Sequence, residues 1–195
     1  MAGLVARFGP VDGGASPAPP ELYGALVRAI TGQQLSVRAA RAIHGRLVER
    51  FGGHPPTPAE LLADDPEEMR TAVGLSHAKV ASLRSLARHV IDGDLEIHRL
   101  EALDDAEVIR ELVAVKGIGA WTAQMFLMFT LHRPDVVATG DLGIRTAARR
   151  AYGLDTLPDA AALTALAEPW RPYRTRACLY LWRSLDNVPV TAADG

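Results

Sequence analysis

Cysteine is nearly absent: Cys178 is the only one in 195 residues. One thiol cannot close an internal disulfide, and it cannot build a cysteine-rich zinc or iron–sulfur site. No iron–sulfur cluster is therefore expected, and neither Cys178 nor the six histidines stand at ligand spacing. Long apolar runs are missing as well. No window approaches the ~20 continuous apolar residues that a membrane helix needs. No basic, apolar leader opens the sequence, so the expectation is a cytoplasmic chain with no membrane partner. Alternating apolar and polar stretches flanked by hairpin turns are also lacking, which argues against a sheet. Lysine is scarce, with Lys79 and Lys116 set against nineteen arginines.

What is present is an ordinary globular composition, 48% hydrophobic and 23% charged. The length suits one large domain or two small lobes. The formal net charge of −2 by itself argues weakly against a nucleic-acid partner. Its distribution is uneven. Arg28, Arg38, Arg41, Arg46 and Arg50 oppose only Glu49 between Leu22 and Arg50, whereas acids outnumber bases thirteen to six between His54 and Leu112. Lys116 to Arg183 again carries nine basic residues against five acids. Two basic stretches around an acidic middle fit a positive face and a solvating face, and they fit a mixed, uninformative surface equally well.

The Gly- and Pro-rich residues 1–20 read as an irregular lead-in with a short helical piece at Leu4–Phe8. Helical patterns follow almost throughout. Ser36 caps a helix to about Phe51, and Thr57-Pro58-Ala59-Glu60 is a capping box. Ser76 opens a helix to about Ile91, closed by Gly93, and Asp104 and Asp105 open one ending near Val115. Further helices fit Asp141–Tyr152, Pro158–Leu166 and Pro172–Leu185. The fold class is all-α, with eight to ten short helices. Ala120 to Leu131 has nine apolar residues in twelve, the pattern of a helix surrounded by protein.

Lys116-Gly117-Ile118-Gly119 joins two of these helices. Two glycines one residue apart permit positive φ and close backbone approach. The turn feeds a helix N-terminus, whose unpaired N–H groups attract anions. A plain αα-turn with a caged isoleucine accounts for the same spacing.

Four ordered motifs then carry a resemblance. They are Ile30-Thr31-Gly32-Gln33-Gln34-Leu35-Ser36, Lys116-Gly117-Ile118-Gly119-Ala120-Trp121-Thr122-Ala123, Asp141-Leu142-Gly143-Ile144-Arg145, and Trp170-Arg171-Pro172-Tyr173-Arg174 with Leu179-Tyr180-Leu181-Trp182. Together they resemble the helix-hairpin-helix DNA glycosylases, in particular the 3-methyladenine DNA glycosylase II type, across about residues 21–185. The resemblance implies two helical lobes with an active-site cleft between them. It places the glycosylase domain at 21–185, its hairpin at about 107–131, and a tail at 186–195. The chain departs from the pattern at Gly140, where many members place a second acid, and at Gln34, which stands where one member has a wedge leucine. The β-rich N-terminal domain that some members carry is not expected in these 195 residues.

The roles that follow are those the resemblance implies. Asp141 is the catalytic carboxylate, although any aspartate there would also cap a helix. A fixed anion stabilises positive charge developing on deoxyribose, and it can orient or deprotonate the attacking water. Trp121, Trp182 and Tyr180 line the base pocket, with Tyr173 a further aromatic candidate; a tryptophan face attracts a cationic base by about 0.5–2 kcal/mol. At Tyr180 a core role is the stronger reading of the residues themselves. Gln33, Gln34, Leu35, Lys116, Gly117, Ile118, Gly119 and Thr122 contact DNA, with Gln34 or Leu35 filling the gap left by an extruded nucleotide. The carbonyls of Val113, Val115 and Ile118 are candidate ligands for Na+ or K+ bridging to phosphate; no other cofactor is implied. Bifunctional relatives place a lysine where Trp121 stands, so the implied enzyme is a monofunctional hydrolase that removes alkylated purines from double-stranded DNA. It would act as a monomer, at the nucleoid in a bacterium. The alternatives are the same fold acting on another damaged base, and a silent helix-hairpin-helix module that only binds DNA.

Overall fold

The computed structural model describes residues 1–11 and 21–185. Among these residues the regular structure is entirely helical. In chain order the helices are α1 (Ala2–Phe8), α2 (Leu22–Gly32), α3 (Val37–Arg50), α4 (Pro58–Ala63), α5 (Pro66–Val73), α6 (His77–Ile91), α7 (Asp105–Ala114), α8 (Ala120–Phe129), α9 (Leu142–Tyr152), α10 (Ala160–Ala167) and α11 (Arg174–Arg183). Short 3-10 turns lie at Ile97–Arg99 and Glu168–Trp170. The tail at 186–195 and part of the lead-in lie outside the described residues.

Capping chemistry sets most of the boundaries. Ser36 and Ser76 accept from the backbone N–H groups of Ala39 and Lys79, and both Thr57–Glu60 and Asp104–Glu107 close reciprocal capping boxes. The last two helices start later than proline placement predicts. Asp159 takes the cap position of α10 and accepts from Ala162 N–H, which moves Pro158 outside the helix. No local side chain caps α11; the N–H of its first residue, Arg174, points to the Asp135 carboxylate 3.4 Å away. Two helices are not placed from the sequence, α2 for want of a local signal and α5 in spite of one, since Asp65 accepts from the N–H groups of Glu67 and Glu68. α2 follows the Pro-rich lead-in with no side-chain cap, and α5 begins on Asp65-Pro66.

The chain divides into two compact units, one holding α2 to α7 and the other holding α1 and α9 to α11, with the division inside α8 between Phe126 and Leu127. In the first unit α2 packs on α3 and α6, and α6 also packs on α4 and α5. Its core includes Leu26, Ile30, Leu47, Leu61, Met69, Leu83, Leu86 and Leu112, all fully buried. In the second unit α11 packs on α9 and α1, burying Ile144, Ala148, Cys178 and Leu181. Burial pushes the Cys178 thiol up to about 12, so it is a small core group rather than a reactive one.

α8 differs from the expectation of a helix enclosed along its whole length. Ala123, Phe126, Leu127 and Met128 are buried, but Ala120 is exposed and Trp121 is 44% exposed. The apolar pattern therefore covers two environments, a core segment and an open first turn. Among the described residues no helix is long and apolar enough to cross a membrane.

Candidate active site and nucleic-acid interface

The hairpin grows out of α7. Val115 ends that helix in extended conformation, and its carbonyl accepts from Ile118 N–H at 3.0 Å. Ile118 is buried and anchors the turn, while Lys116, Gly117 and Gly119 are exposed. Gly117 has φ +89°, and a Cβ there would lie 1.9 Å from the Ser82 hydroxyl oxygen and 2.6 Å from Ser82 Cβ. Glycine is required on both counts. At Gly119 the backbone is ordinary and the space beyond is open. Of the two glycines only Gly117 needs positive φ, whereas Gly119 stands in open space at the entry to the first turn of α8.

The candidate cation ligands, the carbonyls of Val113, Val115 and Ile118, are hard oxygen donors that belong to the last turn of α7, its C-cap and the turn that follows. That chemistry suits a monovalent cation, and Val115 oxygen keeps a second lone pair beyond its bond to Ile118.

The Gln33 motif is joined to this turn. Gln33 Nε2 donates to the Gly117 carbonyl at 2.9 Å and to Thr122 Oγ1 at 3.3 Å. Gln33 is thus a brace of the hairpin, and Thr122 is a buried partner of that brace rather than an outward DNA ligand. Gln34 is exposed with φ +58°, an uncommon conformation for a residue other than glycine. Leu35 beside it is 38% exposed. Lys79 donates from Nζ to the Thr31 carbonyl at 2.7 Å, and burial holds its ammonium below the ordinary lysine value.

In the other unit Asp141 caps α9. Its Oδ1 accepts from Ile144 N–H at 2.8 Å and from the Trp182 indole N–H at 2.9 Å. Trp182 is only 2% exposed and stacks against Phe129 at 6.1 Å between centroids. Trp182, expected to line the base pocket, has its ring almost wholly covered here and its indole N–H committed to the carboxylate. Tyr180 is likewise not presented to a ligand, because it is buried and its hydroxyl donates to the Gly9 carbonyl at 2.8 Å. Trp121 keeps an exposed indole, as does Tyr173 its phenol ring.

Several residues escaped sequence reasoning. A Cβ on Gly143 would come 3.0 Å from Asp141 Oδ1 and 3.2 Å from Trp182 Cδ1, so this glycine makes room for the tryptophan against the aspartate. The loop that delivers Asp141 is clamped to the start of α11. Arg174 Nε donates to Asp135 Oδ1 at 2.7 Å and Arg171 Nη1 to Asp135 Oδ2 at 2.7 Å. The Thr175 hydroxyl donates to the Arg133 carbonyl and accepts from Val136 N–H. Burial pushes the Asp135 carboxyl up, but the hydrogen bonds and charges of Arg174 and Arg171 outweigh it and hold the group below the usual carboxylate range. The only available signal was the pair of arginines three apart in Arg171-Pro172-Tyr173-Arg174. Both belong to the basic stretch for which the sequence leaves a positive face and a mixed surface equally open, and both are engaged with Asp135 and Glu168.

A buried helix entered through a Lys-Gly-Ile-Gly turn, followed by an aspartate at the head of the next helix, defines an all-helical helix-hairpin-helix protein. The sequence profile of the HhH-GPD superfamily of base excision DNA repair proteins matches residues 27–172, and the chain belongs to that family. It is 38% identical over 173 residues to DNA-3-methyladenine glycosylase 1 of Schizosaccharomyces pombe, covering 88% of this chain and 75% of that protein. A solved structure of the Schizosaccharomyces pombe 3-methyladenine DNA glycosylase in complex with abasic DNA matches with a TM-score of 0.81 at 36% identity, over 95% of this chain and 90% of that one. The DNA-3-methyladenine glycosidase of Bacillus halodurans matches with a TM-score of 0.77 at 36% identity, over 93% and 86% respectively.

Proposed function

We propose that this protein is a monofunctional DNA glycosylase that removes alkylated purines from duplex DNA, acting as a monomer on chromosomal DNA inside the cell. The observation that carries the reading is the Asp141 carboxylate, fixed by a helix N–H and by the Trp182 indole at the head of α9. A carboxylate used only as a cap has no need of a buried tryptophan and a cleared glycine to hold it.

The chemistry follows from that anion. Alkylation at a ring nitrogen leaves the purine cationic, so it departs with the electron pair of the bond to C1′ and becomes neutral. Positive charge then develops on the sugar, where a preorganised carboxylate stabilises it. Water adds to C1′ and gives its proton to Asp141 or to bulk solvent. The exposed Trp121 indole supplies a π-face for the extruded cationic base. The hairpin N–H groups and Lys116 hold backbone phosphate; the carbonyls of Val113, Val115 and Ile118 would hold Na+ or K+, which would supply further positive charge beside the phosphate. Gln34 or Leu35, at the tip of its turn, fills the vacated stack.

The absence of a lyase step is supported by the lysines. Lys79 is tied to Thr31 and Lys116 lies in the phosphate-holding turn, so water is the nucleophile. The test is incubation with randomly methylated duplex DNA, with and without borohydride. Released methylated purines, abasic sites that break only on heat or alkali, and no trapped adduct are expected. Release of a different damaged base, DNA binding without release, or a trapped covalent adduct would each overturn the assignment.

A further inference from the structure

α6 contributes no residue to the chemistry just described, yet it touches both DNA-facing turns of its unit. Its residues 79, 82 and 85 follow one another at three-residue spacing, which places them along one side of a helix. Lys79 Nζ donates to the Thr31 carbonyl in the last turn of α2, directly before the Gln33-Gln34-Leu35 turn. Ser82, whose hydroxyl is folded back onto the Ala78 carbonyl at 2.9 Å, lies against Gly117 so closely that a Cβ there would overlap it. Ser85 Oγ accepts from Lys116 N–H at 3.2 Å. The loop closes through Gln33, which donates back to the Gly117 carbonyl.

We infer that Lys79, Ser82 and Ser85 form a polar rail that fixes the Gln34 turn in register with the phosphate-holding hairpin, with Lys79 a positioning residue for insertion into the duplex. The inference rests on the proposed glycosylase reading. A helix C-terminus leaves carbonyls unpaired, and a cation there both satisfies one and matches the dipole. Lys79 therefore determines where α2 ends and where Gln34, in its strained left-handed conformation, is aimed. With the rail intact, gripping phosphate at the hairpin brings the turn to a set depth in the groove. Without Lys79 the grip survives and the insertion loses its aim.

The experiment uses the full chain as wild type, Lys79→Met and Lys79→Arg. Affinity for undamaged duplex, read by fluorescence anisotropy, reports the phosphate grip. A duplex holding a tetrahydrofuran abasic analogue beside 2-aminopurine reports insertion, through unstacking of the fluorescent base. Lys79→Met is expected to lose about tenfold in preference for the abasic duplex and most of the 2-aminopurine response, while undamaged-duplex affinity stays within about twofold, the size expected for one charge-assisted hydrogen bond. Lys79→Arg, which keeps a cationic donor for the Thr31 carbonyl, should recover most of the response. A Lys79→Met protein with wild-type preference and response overturns the rail. So does one whose affinity for undamaged duplex falls in parallel, since that marks Lys79 as general support for the fold. A wild-type protein with no 2-aminopurine response at all contradicts the glycosylase reading itself, and the rail falls with it.

Discussion

Trp182→Phe removes one N–H from the carboxylate of Asp141 and leaves the aromatic packing on Phe129 largely in place. A hydrogen bond to a charged group is worth roughly 1.5–3 kcal/mol, so the excision step should slow by about ten- to a hundredfold. Affinity for DNA should hold. Because the ring is buried, cationic and neutral bases should suffer alike, which single-turnover rates on both kinds of lesion would check. A loss confined to cationic bases would return Trp182 to the role of an open π-face. Gly143→Ala tests the same contact from the other side. Its Cβ would press on Asp141 Oδ1 and on the Trp182 ring at 3.0 and 3.2 Å. Alanine is the better helix former by ~1 kcal/mol and no positive φ stands in its way. The melting temperature should therefore hold or rise while the excision rate falls, separating a positioning role from a folding role.

At the level of elements, the hairpin depends on a glycine resting on a helix. Gly117→Ala would pay the positive-φ cost and also collide with Ser82, whose Cβ cannot swing aside as a side-chain tip would. A destabilisation of about 1–3 kcal/mol is expected from the backbone strain alone, with a matching loss of duplex affinity measurable by anisotropy. Ser82→Gly should restore part of both. The Asp135 clamp carries a pH signature. Its carboxyl is held low in the folded chain, so its stabilisation is complete above the unfolded carboxylate value near pH 4. It is lost as pH falls through the lowered folded value. The difference in melting temperature between wild type and Asp135→Asn should thus be widest above about pH 5 and shrink on acidification; a difference independent of pH would deny the clamp its charge. These elements also mark how far the sequence could be read. Helix starts were legible at Ser36, Thr57, Ser76 and Asp104, where the cap acts on its own next turn, but the equally local caps Asp65 and Asp159 were passed over. Contacts between distant segments were not legible. Gln33 reaches Gly117 across 84 positions and Trp182 reaches Asp141 across 41, and no local pattern encodes such pairings. The four site motifs were visible, but the division of labour among their aromatics was set by burial, which composition does not reveal.

For the whole molecule, the sequence carries a net charge of −2, and several arginines are consumed internally. Arg50 pairs with Asp64, Arg46 donates to the Val73 carbonyl, and Arg145 donates to that of Pro158. In the proposed reading, affinity for DNA rests on the hairpin and on local basic surface rather than on overall charge, and the chemical step rests on one anion. The most direct test is single-turnover release of methylated purines from methylated duplex DNA by wild type and Asp141→Asn at saturating protein. Asparagine keeps an oxygen for the Ile144 and Trp182 N–H groups and so preserves the cap, but it carries no charge to oppose a sugar cation. The account predicts that Asp141→Asn folds, binds duplex as the wild type does, and releases methylated purines at least about a thousandfold more slowly, in keeping with the loss of a preorganised electrostatic group. Release at the wild-type rate from the folded variant would contradict it.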